Sequence, residues 1–333
     1  MRRSHAALWL REPPAYIQLP MDRYLDPRPA GSPVALVVGT MNFGKRTSEP
    51  ESRRIVERAL ERGLDFFDTA NVYNDGESER ILGRALKGRT ARVATKVGIG
   101  RLSDPEGLSP SRIAAAIDES LQRLGTERVE LYYFHKPDHG QPLDASLRAV
   151  QQLIDSGKVG HFGVSNFASW QLLEMTQLGL KPRVSQLVYN LAIRQLELEY
   201  FRFAKKYGVH TTVYNPLGGG LLAGKVKRDA PLAAGSRFDK NPMYQKRYLS
   251  DRFFDLAEAF AQLAAEAGRT PVELAYQWVG ARPGVDSILL GPASVEQLDA
   301  AIDAVAKPLP KEIIDRADDL YRAFQGTDAS YAR

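Results

Sequence analysis

Four residues with complementary proton chemistry stand at or just beyond the ends of successive apolar runs in this chain of 333 residues. Asp68 closes the run that begins at Leu64, and Tyr73 follows it in the next loop. Lys96 ends the run from Arg92, and His135 ends the run from Val129. Together they fit one reaction, the addition of hydride to a carbonyl. Hydride attack leaves an alkoxide too basic to persist unprotonated, so a general acid must stand beside the oxygen. A tyrosine hydroxyl, with a reference pKa of about 10, is a poor acid near neutrality, and a neighbouring ammonium favours its phenolate. Lys96 can provide that ammonium while Asp68 holds and neutralises it. His135 can donate a hydrogen bond that orients the carbonyl oxygen.

Groups so far apart in sequence act together only where a scaffold brings the ends of their runs to one rim. From Val34 onward short apolar runs alternate with longer amphipathic ones. The short runs are 35–40, 64–68, 92–97, 129–135, 159–164, 184–188, 209–214 and 287–290. Most are continuous rather than alternating, as in strands covered on both faces. Helical patterns lie between them over 51–62, 111–124, 143–156, 168–178, 197–207, 251–267 and 295–304. Ser109-Pro110 and Thr270-Pro271 each place a capping residue before a proline at the first helical position.

Eight strands with helical crossovers predict an α/β fold, a single closed (β/α)8 TIM barrel over 34–333 with its site at the C-terminal strand ends. A doubly wound dinucleotide fold would want Gly-x-Gly-x-x-Gly after an early strand, and the sequence has no such hexapeptide. Residues 216–250, rich in Gly and Lys, make a loop after strand 7 long enough to be a functional lid. A helix around 312–324 and a tail close the chain. Residues 1–33 carry Pro13, Pro14, Pro20 and Pro27 without a clean period and read as an N-terminal extension, flexible or laid on the surface. They fit neither a signal peptide nor a transit peptide.

Composition narrows the function. Hydrophobic residues at 44% and charged residues at 26% exclude collagen-like and wholly disordered chains. The absence of cysteine excludes disulfide scaffolds, thiol nucleophiles, thiolate metal sites and iron–sulfur clusters, and leaves cytoplasm as the default compartment. No apolar run approaches the roughly 20 residues of a membrane span. The 45 Lys and Arg are spread among 40 Asp and Glu, which argues against a nucleic-acid partner. His135-Lys136-Pro137-Asp138-His139 offers metal-ligand types, but Pro137 argues against a helix aiming both imidazoles one way, and no metal is expected. Gly219-x-x-x-x-Gly224-Lys225 nearly spells a Walker A motif, yet Val226 stands where its Ser or Thr is needed.

These residues resemble the aldo-keto reductases. Asp68-Thr69-Ala70-x-x-Tyr73, Lys96 and His135 match that family's catalytic tetrad, and Gly39-Thr40-Met41 and Gly163-Val164-Ser165-Asn166-Phe167 match two further signatures. Tyr189-Asn190, Tyr214-Asn215-Pro216-Leu217, Met243-Tyr244-Gln245 and Tyr331-Ala332-Arg333 are most similar to the aflatoxin aldehyde reductase branch. The resemblance implies an oxidoreductase that reduces small aldehydes or ketones with NADPH, NADH being left open. It also implies that Ser165, Asn166 and Gln186 hold the nicotinamide carboxamide, that Tyr214 stacks on the ring, and that Gly39, Thr40 and Met41 line the site, Met41 on the substrate side. Asn215, Pro216, Leu217, Gly219 and Lys225 would follow the pyrophosphate, with Arg237 facing a phosphate. Gly291, Ser294 and Gln297 would meet the adenosine end at a helix N-terminus. Ala293, Ala300 and Ala301 depart from the Ser and Glu-Asn common in relatives, which weakens that adenosine subsite. Arg333 is expected to pair with a substrate carboxylate. Two other readings accompany this one, a nucleotide-deoxysugar reductase and a cofactor-bound regulatory subunit resembling potassium-channel β subunits. Monomer and homodimer fit the pattern equally.

Overall fold

The structure, a computed structural model, describes residues 31–100 and 105–327; the extension over 1–33 falls almost wholly outside the described residues, as does Arg333. The elements run β1 (Ala35–Gly39), α1 (Glu49–Glu61), β2 (Phe66–Asp68), α2 (Glu77–Leu86), β3 (Arg92–Val97), α3 (Pro110–Leu124), β4 (Val129–Phe134) and α4 (Leu143–Asp155). Then come β5 (Val159–Ser165), α5 (Ser169–Gln177), β6 (Val184–Val188), α6 (Tyr200–Tyr207), β7 (His210–Tyr214), α7 (Pro242–Tyr248), α8 (Asp251–Glu266), α9 (Pro271–Gly280), β8 (Ser287–Leu290), α10 (Val295–Ala306) and α11 (Lys311–Gln325). All eight strands are parallel, and β1 pairs with both β2 and β8 to close the predicted barrel.

The predicted caps form as expected. Ser109 and Thr270 accept from the backbone three residues on, and Thr270 with Glu273 completes a capping box. Three helices lie outside the patterns read above: α9, of which only the Thr270-Pro271 start is read there, and α7 and α2. In the loop after β7, α7 is only seven residues long and starts at Asn241-Pro242; so short a helix carries no apolar period. α2 begins directly behind a tight turn at Tyr73–Gly76.

Strand parity positions the site. Side chains alternate across a strand, so residues two apart share a face. Ala35, Val37, Phe66, Ala94, Leu131, Tyr133 and Val184 form one cluster, separate from the larger core between strands and helices. This is the filling of the barrel interior. Asp68 lies two residues beyond Phe66, Lys96 two beyond Ala94, His135 two beyond Tyr133, and Gln186 two beyond Val184. The polar layer is therefore the next layer of the same interior face, at the C-terminal end. α2 fixes β3 beneath it. Its fully buried Glu79 accepts from Thr95 Oγ1 at 2.5 Å and from Arg123 Nε at 2.6 Å.

Gly163 permits this filling, because a Cβ there would lie 2.7 Å from the Tyr133 ring and 3.1 Å from Val184 O. Gly163→Ala is expected to lower the unfolding free energy by about 1–3 kcal/mol through overpacking. Urea midpoints of the two proteins measure this, and an unchanged midpoint counts against the interior placement of Tyr133.

Candidate active site

At the rim, Lys96 Nζ donates to Asp68 Oδ1, to Thr69 O at 2.7 Å, and toward the Tyr73 hydroxyl at 3.5 Å. The other Asp68 oxygen accepts from Gln186 Nε2 at 2.9 Å. Lys96 and Asp68 are inaccessible to solvent. Tyr73 opens a turn in which Asn74 and Asp75 adopt left-handed backbone at φ 52° and 55°. Such conformations persist only where the surroundings hold them. Here Asn74 Nδ2 donates to Phe43 O at 2.5 Å and to Met41 O at 3.3 Å, tying the Tyr73 loop to the loop after β1. The His135 ring meets the Tyr73 ring edge-on, centroids 5.7 Å apart.

Electrostatics assign protonation states. Burial pulls the Lys96 ammonium down, but the adjoining Asp68 carboxylate prevails and Lys96 stands above the ordinary lysine value, hence charged. Tyr73 stands above the ordinary tyrosine value. This differs from the lowering expected of a neighbouring ammonium, because burial of the phenol outweighs Lys96 and the Asp68 carboxylate adds to burial. Tyr73 therefore carries its proton at neutral pH. Burial, then Lys96 and Lys136, hold His135 well below its usual value, so the imidazole is neutral. Its Nδ1 is buried without a hydrogen-bond partner. A stranded lone pair costs less than a stranded N–H, which favours the tautomer protonated at Nε2.

Four of the residues expected to hold a nicotinamide are brought together beside this layer. Ser165 Oγ donates to Gln186 O at 3.1 Å and accepts from Asn166 Nδ2 at 3.1 Å. Asn166, left-handed at φ 66°, also donates to His135 O at 3.0 Å and accepts from the Tyr214 hydroxyl at 2.7 Å. Thr40 differs. It is fully buried, its hydroxyl engaged by Ser78 at 2.8 Å and by Asp68 O at 3.1 Å, so it supports the loop rather than facing a ligand. Met41 is exposed, and Arg237 Nη1 lies 3.3 Å from its sulfur.

The long loop is organised by Asn215, which accepts from Gly219 N at 2.7 Å and donates to the Tyr248 hydroxyl at 2.7 Å. Gly219, at φ 73°, packs so closely that a Cβ would stand 2.9 Å from Tyr244. Pro216 is buried, Leu217 packs on the core, and Lys225 is exposed. Arg46 Nη2 donates to Ser236 O at 2.6 Å, joining this loop to the loop after β1. At the start of α10, Ser294 caps Gln297 N, and Gln297 Oε1 accepts from Ala293 N at 3.0 Å. Val295 N donates to Glu51 Oε1 at 3.0 Å, a carboxylate from α1. Asn42 holds Gly291 O at 3.1 Å. Asn42, Arg46, Glu51 and Asn74 escape sequence reasoning. Glu51 shows there only as an acidic residue in a helix's first turn.

The chain matches the Aldo/keto reductase family over residues 35–322. The chain belongs to the aldo/keto reductase family. It is 36% identical to aflatoxin B1 aldehyde reductase member 2 of Homo sapiens, over 92% of this chain and 90% of that protein. It is likewise 36% identical to the uncharacterized oxidoreductase YrpG of Bacillus subtilis, over 89% of this chain and 95% of that protein. Among solved structures it is similar to glycerol dehydrogenase AKR11B4 from Gluconobacter oxydans, with TM-score 0.75 and 28% identity over 90% of this chain and 94% of that one. Aldo-keto reductases are oxidoreductases that act on small carbonyl compounds with nicotinamide cofactors. The residues present fit such a cofactor. The Ser165, Asn166 and Gln186 amide and hydroxyl groups cluster at the rim beside Asp68 and Tyr214. No helix among the described residues is long and apolar enough to cross a membrane.

His135 links the site to acid stability. Its depressed affinity for protons means the unfolded chain binds more of them below about pH 6.5. Its contribution is thus present above that pH and is lost as pH falls, at up to about 1.4 kcal/mol per unit. His135→Gln should flatten the stability profile between pH 7 and 5 in urea titrations. Parallel profiles would remove His135 as a buried neutral group.

Proposed function

We propose that this protein is an NADPH-dependent reductase of small aldehydes or ketones in which Tyr73 is the general acid. The observation that carries the reading is the buried Lys96 ammonium, fixed by Asp68 and 3.5 Å from the Tyr73 hydroxyl. The nicotinamide, when bound, supplies a hydride to the carbonyl carbon. Ser165, Asn166 and Gln186 would hold its carboxamide, and Tyr214 would stack on its ring. As the carbonyl oxygen gains negative charge, it becomes basic enough to take the Tyr73 proton, and Lys96 stabilises the phenolate left behind. Burial keeps that proton on Tyr73 until the oxygen demands it. Neutral His135 donates from Nε2 and fixes the angle of the oxygen. Hydride on carbon and proton on oxygen balance the conversion of carbonyl to alcohol.

Tyr73→Phe should lower the turnover of carbonyl reduction by about a hundredfold to ten-thousandfold while leaving cofactor affinity nearly unchanged. Stopped assays with NADPH and a carbonyl panel, beside fluorescence titration, measure both. Reduction at near wild-type rate by the variant would give the acid's role to another group.

The preference for NADPH over NADH is expected to be modest. Arg237 and Lys225 favour phosphate, whereas the start of α10, where a barrel of this kind offers a phosphate site, already holds the Glu51 carboxylate. NADPH should bind more tightly than NADH, by no more than about tenfold, which is about 1.4 kcal/mol. Glu51→Gln should widen the gap by tightening NADPH alone. Equal constants in the wild type, or an unchanged ratio in the variant, would refute this assignment.

A further inference from the structure

The loop after β3 contains a carboxylate that the mechanism does not use. Glu106 has a side chain only 8% exposed. Its Oε1 accepts from Asn71 Nδ2 at 2.5 Å and from Arg112 Nε at 2.9 Å, and its Oε2 accepts from Gly98 N at 2.7 Å. Asn71 lies two residues before Tyr73, and Gly98 two residues after Lys96. One carboxylate thus joins the segment that carries the proton donor to the segment that carries the ammonium. Asn71 N also donates to Lys96 O, at a longer 3.3 Å. Gly98 adopts φ 113°, and a Cβ there would stand 2.7 Å from Leu108, so the chain just beyond Lys96 is held in a conformation that favours glycine. Arg112, on α3 and paired with Glu119 at 2.7 Å, donates to the same carboxylate from outside the two segments, which Glu106 joins through Asn71 and Gly98.

We propose that Glu106 is a positioning residue that sets the separation of Lys96 and Tyr73. The contact it governs is the longest of the three made by Lys96 Nζ, at 3.5 Å, and so the one most affected by relative movement of the two loops. The requirement is for a carboxylate and not merely for a polar side chain. Among the described residues every hydrogen bond to Glu106 comes from an N–H donor, and an amide in its place would turn its own NH2 toward one of them. The shorter aspartate would not span the same three donors.

The inference rests on the proposed role of Tyr73, and the experiment separates the two. Wild type, Glu106→Gln, Asn71→Ala and Arg112→Met are compared by thermal melting, by NADPH fluorescence titration, and by the pH dependence of kcat with 4-nitrobenzaldehyde. Glu106→Gln should lower kcat by about tenfold to a hundredfold, as expected of a slightly misplaced acid, with little change in NADPH affinity. Weaker influence of Lys96 lets the proton affinity of Tyr73 rise, so the alkaline limb of the profile should move upward. Asn71→Ala, which removes only the link toward Tyr73, should move the limb the same way. Arg112→Met should lower the melting temperature while leaving the limb in place. A wild-type chain that reduces no carbonyl overturns the proposed function and this role with it. An active wild type whose Glu106→Gln and Asn71→Ala forms lose activity only in step with stability, with the limb unmoved, overturns the positioning role alone.

Discussion

A lysine ammonium and an aspartate carboxylate, both closed to solvent, face each other at the C-terminal ends of neighbouring strands. Removing two charges from water costs several kcal/mol per ion, and their attraction offsets this only when every remaining proton and lone pair is satisfied. The structure meets that condition on both sides. Lys96 spends its protons on Asp68, Thr69 O and Tyr73, and Asp68 spends its second oxygen on Gln186. The partners come from β2 and the loop after it, from β3 and from β6, so the pair can exist only when these strands and the loop bearing Tyr73 are in register. The closed barrel and the turn at Tyr73–Gly76 are in this sense preconditions of one ion pair.

The same pair explains how Tyr73, in the role proposed for it, would both hold and give a proton. An ammonium alone would favour the phenolate, yet Asp68 returns negative charge to the neighbourhood and burial penalises the phenolate further. The proton therefore stays on Tyr73 at neutral pH, and on the proposed mechanism it would leave only when a substrate oxygen became the stronger base. Neutral His135 completes the arrangement without adding a charge. Its imidazole is kept neutral by burial and by the ammonium that serves Tyr73.

Much of this was legible in the sequence because parity and apolar runs report strands directly. The runs ending at Asp68, Lys96 and His135 end within a residue of the observed strands, and these three side chains share a face with Phe66, Ala94 and Tyr133. What escaped reading depends on contacts across sequence distances that no local pattern encodes. Glu51 and Val295 are 244 residues apart, and Arg46 and Ser236 are 190 apart. Glu106 and Asn71 are closer, but loop residues have no period to betray a pairing. α7 was hidden for another reason, since seven residues starting at a proline carry too few turns to show an apolar stripe. The rise in Tyr73 proton affinity also needed coordinates, because burial and charge oppose each other there and only geometry decides the balance.

One consequence reaches from folding into binding. Side chains assigned to a cofactor already have protein partners: Asn166 with Tyr214 and His135 O, Gln186 with Asp68, Gln297 with Ala293 N, and the start of α10 with Glu51. Recognition by these groups would be an exchange of hydrogen bonds, with a net gain far smaller than the gross strength of each new bond. Selectivity then depends on which exchanges are uneven. Exchanging one neutral amide bond for another is nearly balanced, so on the proposed reading the Ser165, Asn166 and Gln186 cluster would contribute orientation more than affinity. Displacing the Glu51 carboxylate with a phosphate is not balanced, because the displaced charge stays nearby on α1 and is repelled. On the proposed reading, the end of the cofactor that carries or lacks that phosphate is thus where this chain's own residues would weigh most on the choice.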